Sequence, residues 1–534
     1  MTDLHQHDAQ TSMPRSAQPD PCIPSLAEIP AFLDYMATAW ATPDRTPPVE
    51  SGVAEAARLH RNRISAAFPG RTIIVLAGRA PMRSNDSSYP FRPDSSFFWL
   101  TGCSAEDAVV VLHPIAGVHE SVIYVPAPAY PGDHGFFSDA AHGELWVGSA
   151  PGMADWSAAL GTTVKSLDAL AGDLGGAREL LLTGQSGSAH EAVRGIPPSV
   201  GLAKTLSELR MVKVDWEIAE LRRAVDATVA GFASVLRELS TAVAGGGERW
   251  LQGTFDRHAR TYGNGPGYST IVGSGRHAPT LHWVRWRRPR AARRRVAVGH
   301  GRGDPRVLHG GRHPHLPRIR HIQHRAARRA RPRREVAPSR LGRGRPGRRF
   351  SDFHVAAMEV IAEGLHDWGL LPVSVDEALS ERGQQHRRYL VCGIGHHLGL
   401  DVHDCAQSNY EAYQGADMQP GMVLTVEPGL YFHAFDETVP PELRGIGIRI
   451  EDDILVTPVG SEVLSDAMPI DADGLERWMR EQMSGHASKA SRCQVTPVIG
   501  TGNESESVCH PPCSSAAQPA RARREDALRG HHLR

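Results

Sequence analysis

Between Arg285 and Arg349 the chain carries 23 arginines, six histidines and no lysine in 65 residues, with Asp304 and Glu335 as the only acids. Such a block cannot form a core. Arginine is almost never fully buried without a partner, and two acids cannot pair 23 guanidinium groups. The whole chain has 59 basic and 59 acidic residues, so the +21 of the block is balanced by −21 elsewhere. The neutral sum therefore hides an acidic protein with a strongly basic interruption. Functional basic segments mix lysine with arginine and offer helical spacing or interleaved aromatics. Here Trp286 is the only aromatic, and Arg, Pro, Gly, Ala and His follow no period. The fold must be assembled from what lies on either side, and residues 285–349 are expected to lack a stable core.

The composition is that of a GC-rich coding region read out of frame. Sliding the reading by one base lets the codons of Gly299 through Ala326 spell DMGVETHAYFTADVTRTFPVSGTFSTAQ. This string supplies one aspartate across the codons of Gly299 and His300, and another across those of Gly311 and Arg312. Sense returns near Phe350, where FSDFHVAAMEVIAEGL has the apolar spacing of a helix.

Outside the block, 534 residues at 41% hydrophobic content suit two domains with tails. No run of 18 apolar residues occurs, so no membrane span is expected. The first residues, MTDLHQHDAQTSMPRSAQP, lack the charged-then-apolar order of a signal peptide, and seven cysteines are scattered without a CxxC pair. A reduced, cytoplasmic protein is expected. Residues 1–25 read as unstructured. SLAEIPAFLDYMATAW reads as a short helix, 51–68 as an amphipathic helix and Arg71–Gly78 as a buried strand. The strands VVVLHP and SVIYVPA follow, and strands alternate with helices to about residue 205, an α/β pattern. Leu206–Leu239 suggests two helices end to end, broken by Gly245–Gly247. The expected organisation is an extension over 1–48, an α/β domain over 49–205, a second domain over 206–470 and an unstructured tail over 471–534.

Three segments carry chemistry: GIGHHLGLDVHD (Gly393–Asp404), LTVEPGLY (Leu424–Tyr431) and GIGIRIEDDILVT (Gly445–Thr457). They offer His396, His403, Glu427 and Glu451. A lone histidine is more often a core residue than a ligand, and a lone glutamate is usually solvated. Glu427, however, ends a mostly apolar strand, Val423–Val426, just before Pro428-Gly429, where an unpaired carboxylate would be costly to bury. Glu451 follows Ile446, Ile448 and Ile450, which places its side chain on the face opposite the isoleucines. One histidine with carboxylates suits Mn²⁺ or Co²⁺ better than a closed zinc site.

With PTLHW (Pro279–Trp283), FRPDSSFFWLTG (Phe91–Gly102) and ELWVG (Glu144–Gly148), these motifs resemble aminopeptidase P, the Xaa-Pro aminopeptidases of the pita-bread metallopeptidase family. The resemblance covers roughly residues 50–283 and 350–470. It implies an α+β chain, with an N-terminal α/β domain followed by a pita-bread catalytic domain. It implies hydrolysis of the bond between an N-terminal residue and a following proline, in a proline-containing peptide. The family's cofactor is two divalent ions, with Mn²⁺ expected, held by two Asp, one His and two Glu. By resemblance His396, Glu427 and Glu451 are metal ligands, and Glu427 is also the proton shuttle. His282 and His403 contact substrate and stabilise the tetrahedral intermediate, and Arg449 supports the ligands. The two aspartates belong between His282 and Phe350, one of them in a DxTRT motif. The shifted frame restores that motif; as written, Asp304 is the only aspartate in the block. A homo-oligomer without membrane association is expected. Three rivals stand beside this reading. One is a prolidase restricted to Xaa-Pro dipeptides. Another is a nucleic-acid-binding protein using the arginine block, whose binding would fall steeply with salt. The third is a metal-free binding relative, which would need every ligand replaced.

Overall fold

A computed structural model describes residues 25–85, 87–177, 179–185, 191–284 and 346–483. The expectations for residues 1–24, for 285–345 of the arginine block and for the tail beyond 483 lie outside this range. The last residues of the block are described. Met418 N donates to Arg348 O at 2.8 Å, and Arg349 forms an antiparallel bridge with Asp417. Ordered pairing therefore begins slightly before Phe350.

The apolar runs at Thr72–Leu76 and Val109–Leu112 need cover on both faces, and they form the middle of a five-stranded sheet. Its strands are β1 (Thr72–Leu76), β2 (Val109–Ile115), β3 (Val118–Val125), β4 (Thr163–Ser166) and β5 (Leu180–Gly184), in the order β4-β3-β2-β1-β5. β2 and β3 pair antiparallel through Ala116 (φ 49°) and Gly117 (φ 86°). Two consecutive positive-φ residues are what a tight hairpin with right-handed twist requires. Alternation along β1 sends Ile73 and Val75 to one face, where they meet Ile64, Phe97 and Leu100. Ile74 goes to the other face with Val111, Tyr124 and Leu170. Ile64 lies on α1 (Val53–Ala67). Phe97 and Leu100 lie on α2 (Ser95–Thr101), which is capped by Asp94 accepting from Ser96 N and Phe97 N.

The expected helix pair is present, but its first member starts earlier. α3 spans Val200–Arg210 and α4 spans Asp215–Arg237. A boundary at 205–206 thus cuts α3, and the break falls at 211–214. There Val214 N donates to Glu217 Oε2 at 2.9 Å and starts α4. After the glycine run comes α5 (Gly247–Tyr262), and beyond the arginine block α6 (Ser351–Asp367), as its spacing predicts.

Among the described residues the second half has five short strands: β6 (Val423–Val426), β7 (Gly429–Phe432), β8 (Ile446–Arg449), β9 (Asp452–Thr457) and β10 (Gly460–Val463). They form a β10-β9-β6 sheet and a β7-β8 pair. The unstructured tail expected from residue 471 is corrected over α7 (Ala472–Met483). Leu475, Trp478 and Met479 of α7 pack with Leu236 of α4, an apolar stripe at helical spacing. Among the described residues no helix is long and apolar enough to cross a membrane.

One buried group in this half gives a pH dependence. His386 is 1% exposed, with Nδ1 2.8 Å from Ala378 O and Nε2 without a partner. Burial holds its pKa below the ordinary value of 6.5, and nearby Arg387 adds to the effect. A depressed folded pKa means stability that is present above the unfolded pKa and lost as pH falls. The melting temperature is expected to drop between pH 7.5 and 5.5, and to drop less in His386→Gln, which keeps a donor for Ala378 O. Equal drops in the two proteins would remove His386 as a source of acid sensitivity.

Candidate metal centre

The site grows out of strand register. β6 pairs with β9 as Asp452↔Val426 through Leu455↔Val423, and β7 pairs with β8 as Arg449↔Gly429 through Ile446↔Phe432. These are one register interrupted at two positions. Carrying it through the gap sets Ile450 opposite Pro428 and Glu451 opposite Glu427. Ile450 N donates to Pro428 O at 3.1 Å, but proline has no N–H to return the bond, so the ladder breaks there. Ile450 is 41% exposed at this break, so the isoleucine face expected of the strand is buried at Ile446 and lost by Ile450.

The other edge of β6 meets the segment around His396. His397 bridges Leu424, Thr425 N donates to His396 O at 2.9 Å, and Glu427 N donates to Ile394 O at 2.7 Å. A Cβ at Gly395 would strike the Thr425 carbonyl, so only glycine lets the two backbones approach this closely. With period-2 alternation, His396, Thr425, Glu427 and Glu451 share one face. One ligand atom from each of His396, Glu427 and Glu451 lies within 4.8 Å of the others, and Glu427 is buried.

His396 Nδ1 lies 3.0 Å from His397 O. Its Nε2 N–H hydrogen-bonds Glu427 Oε1 at 3.2 Å, and a bound ion would take the lone pair of that nitrogen instead. Thr425 Oγ1 also donates to Oε1, while Arg449 Nη1 lies 2.9 Å from Oε2. Burial alone would raise the Glu427 pKa, but the His396 hydrogen bond and the Arg449 charge outweigh it and hold the carboxylate below its ordinary range. Burial, with the charges of Glu427 and Asp453, pushes Glu451 up to about 8. Two carboxylates set opposite each other in a strand pair repel unless a cation lies between them. The donor set therefore fits a divalent ion.

His403 is exposed at the rim, with its ring perpendicular to that of His396 at 4.4 Å between centroids. Desolvation, with the charges of His396 and His282, keeps its pKa below the ordinary value. The loop that carries it is pinned by charge. Asp404 is 1% exposed and receives both Lys213 Nζ, at 3.0 Å, and the Arg210 guanidinium. Arg210 also reaches Asp401 at 3.0 Å, and Arg92 and Ser95 of the first half bind the other Asp401 oxygen at 2.8 Å. A Cβ at Gly399 would collide with the Asp404 carboxylate.

The segment that carries His282 is held from a different side. Glu248 on α5 accepts from Ser274 N at 2.7 Å and Trp283 Nε1 at 2.8 Å, and its Oε1 lies 2.8 Å from His277 Nδ1. The His277 and Trp283 rings stack at 3.8 Å. Each such bond contributes roughly 1 kcal/mol. Glu248→Ala is therefore expected to speed amide exchange over residues 274–283 by about 10- to 100-fold while α6 is unchanged. Unaltered exchange in that segment would show that something else anchors it.

Sequence reasoning missed Glu248, Asp404 and Tyr268. Desolvation of its hydroxyl, then the charges of Glu451 and Glu427, push the Tyr268 phenol up to about 12, although the residue as a whole is 47% exposed. No local pattern flagged it, because it lies in a loop between glycines and prolines.

The profile of metallopeptidase family M24 matches residues 341–458, and that of the aminopeptidase P N-terminal domain matches residues 57–179. Over 465 residues the chain is 39% identical to Xaa-Pro aminopeptidase 2 of Streptomyces coelicolor, covering 83% of this chain and 95% of that protein. It is 29% identical over 434 residues to the Xaa-Pro aminopeptidase of Escherichia coli, covering 77% and 94%. Among solved structures, Escherichia coli aminopeptidase P with the inhibitor Pro-Leu superposes with a TM-score of 0.61 at 24% identity, over 81% of this chain and 99% of that one. Its zinc-substituted form in complex with product gives 0.61 at 24%, over 80% and 98%.

Proposed function

The chain belongs to the Xaa-Pro aminopeptidase family, and from that premise we propose how its own residues serve the reaction. It is a metal-dependent hydrolase that releases the N-terminal residue from peptides with proline in second position. His396, Glu427 and Glu451 hold the metal. The observation that carries this assignment is the register that sets Glu427 against Glu451 with His396 beside them. When bound, divalent ions polarise the scissile carbonyl and make water a better nucleophile. His403, at the rim, and His282 bind the peptide and donate to the oxygen on which charge develops. Arg449 fixes one oxygen of Glu427, and Glu427 carries the proton toward the leaving proline nitrogen.

The donor set does not extend to the family's second ion. The two aspartates it requires are absent as written, and His396, Glu427 and Glu451 are the only such cluster among the described residues. Mn²⁺ as the metal, a homo-oligomeric state and a cytoplasmic setting complete the reading. The test is release of the first residue from an Xaa-Pro-Xaa tripeptide, with and without a chelator. Cleavage of Xaa-Pro dipeptides alone would identify a prolidase instead. Chelator-insensitive release would overturn the metal assignment.

A further inference from the structure

We infer that this chain holds one divalent ion, not a pair, bound by His396, Glu427 and Glu451 and kept single by the want of further carboxylates beside them. The inference rests on the site assignment above but departs from the pair that the family implies. It starts from how the Glu427 carboxylate is divided. Oε1 faces His396 Nε2 at 3.2 Å, whereas Oε2 is taken by Arg449 Nη1 at 2.9 Å. Glu427 therefore offers an ion one oxygen.

Charge leads to the same count. Two carboxylates and a neutral imidazole are balanced by one dication. Arg449 already adds a positive charge on the side of Glu427 away from His396. A second dication roughly 4 Å from the first, as in two-metal sites, would leave several uncompensated positive charges in a partly buried space. No third carboxylate joins the described cluster to offset them. Three protein donors on one ion leave positions open for water and a peptide carbonyl, which is the pattern of a reactive site and not a closed structural one.

The experiment uses the full chain, stripped of metal and titrated with Mn²⁺ at pH 7.5, and reads bound ion and electron paramagnetic resonance together. The expected result is one Mn²⁺ per chain with the six-line spectrum of an isolated ion. Glu451→Gln and His396→Gln, each confirmed as folded by circular dichroism, are expected to weaken binding by at least about tenfold. Glu451→Gln changes charge with almost no change of shape, so it remains informative if the histidine variant misfolds. Two bound ions, an exchange-coupled spectrum, no binding, or undiminished binding in the folded variants would each overturn the inference. Tripeptide turnover by the same samples is a separate readout. One tightly bound ion with no release of the first residue would sink the proposed reaction and leave the one-ion site standing.

Discussion

Restoring the reading frame across residues 285–349 is expected to raise the rate of Xaa-Pro-Xaa cleavage by at least ~10³-fold in the presence of Mn²⁺. The restored string supplies two aspartates, one within a DVTRT sequence, at codons where the chain as written has glycine, histidine and arginine. A second ion then becomes possible. Each ion stabilises developing charge by several kcal/mol, and every 1.36 kcal/mol is tenfold in rate, so losing one ion costs about three decades. Between Gly299 and Ala326 restoration also replaces six arginines with a string that has one and can pair as strands, so improved folding would add to the gain. Both versions are to be expressed and assayed for release of the first residue. Comparable turnover would mean that donors such as His300, His309 or His313 replace the aspartates. If neither turns over, the peptidase assignment itself fails.

Asp404→Ala is expected to destabilise the protein by about 3–5 kcal/mol, a large share of the stability of an ordinary domain. The Lys213 side chain is 1% exposed and that of Arg210 is 7% exposed, and both direct their charge at Asp404. Removing the carboxylate leaves two buried cations with only Asp401 to offset one of them. Truncating one partner of a buried ion pair is far more costly than replacing both. Accordingly, Asp404→Leu combined with Lys213→Met is expected to recover much of the loss. Urea unfolding midpoints at fixed pH and metal content check both. A loss below roughly 1 kcal/mol for Asp404→Ala would show that water reaches Lys213 and Arg210 in the variant.

Legibility from sequence followed the range of the interaction. β1 to β3 were readable because Thr72–Leu76, VVVLHP and SVIYVPA are apolar runs of strand length. Glu427 and Glu451 were suspicious because they sit at the ends of apolar strands. That they face each other depends on a register between segments 24 residues apart, which no local pattern states. The Arg210–Asp404 pair spans 194 residues and Arg92–Asp401 spans 309, so each looks like a solvated charge in sequence. α7 was missed for another reason. Leu475, Trp478 and Met479 have helical spacing, but the segment opens a stretch that turns polar, and its partner Leu236 lies far upstream. The isoleucine alternation misled at Ile450 because the effect of Pro428 acts across the strand pair and not along it.

Pro428 has a mechanical consequence. Where a continuous ladder would tie the β10-β9-β6 sheet to the β7-β8 pair, the proline deletes a rung and two opposed carboxylates fill the gap. An ion bound between them takes the place of that rung. The metal would then be a rivet as well as a reagent, its free energy of binding shared between holding substrate and keeping two small sheets in line. Demetallation should loosen the strand pair at this seam first, before either sheet opens from its outer edge.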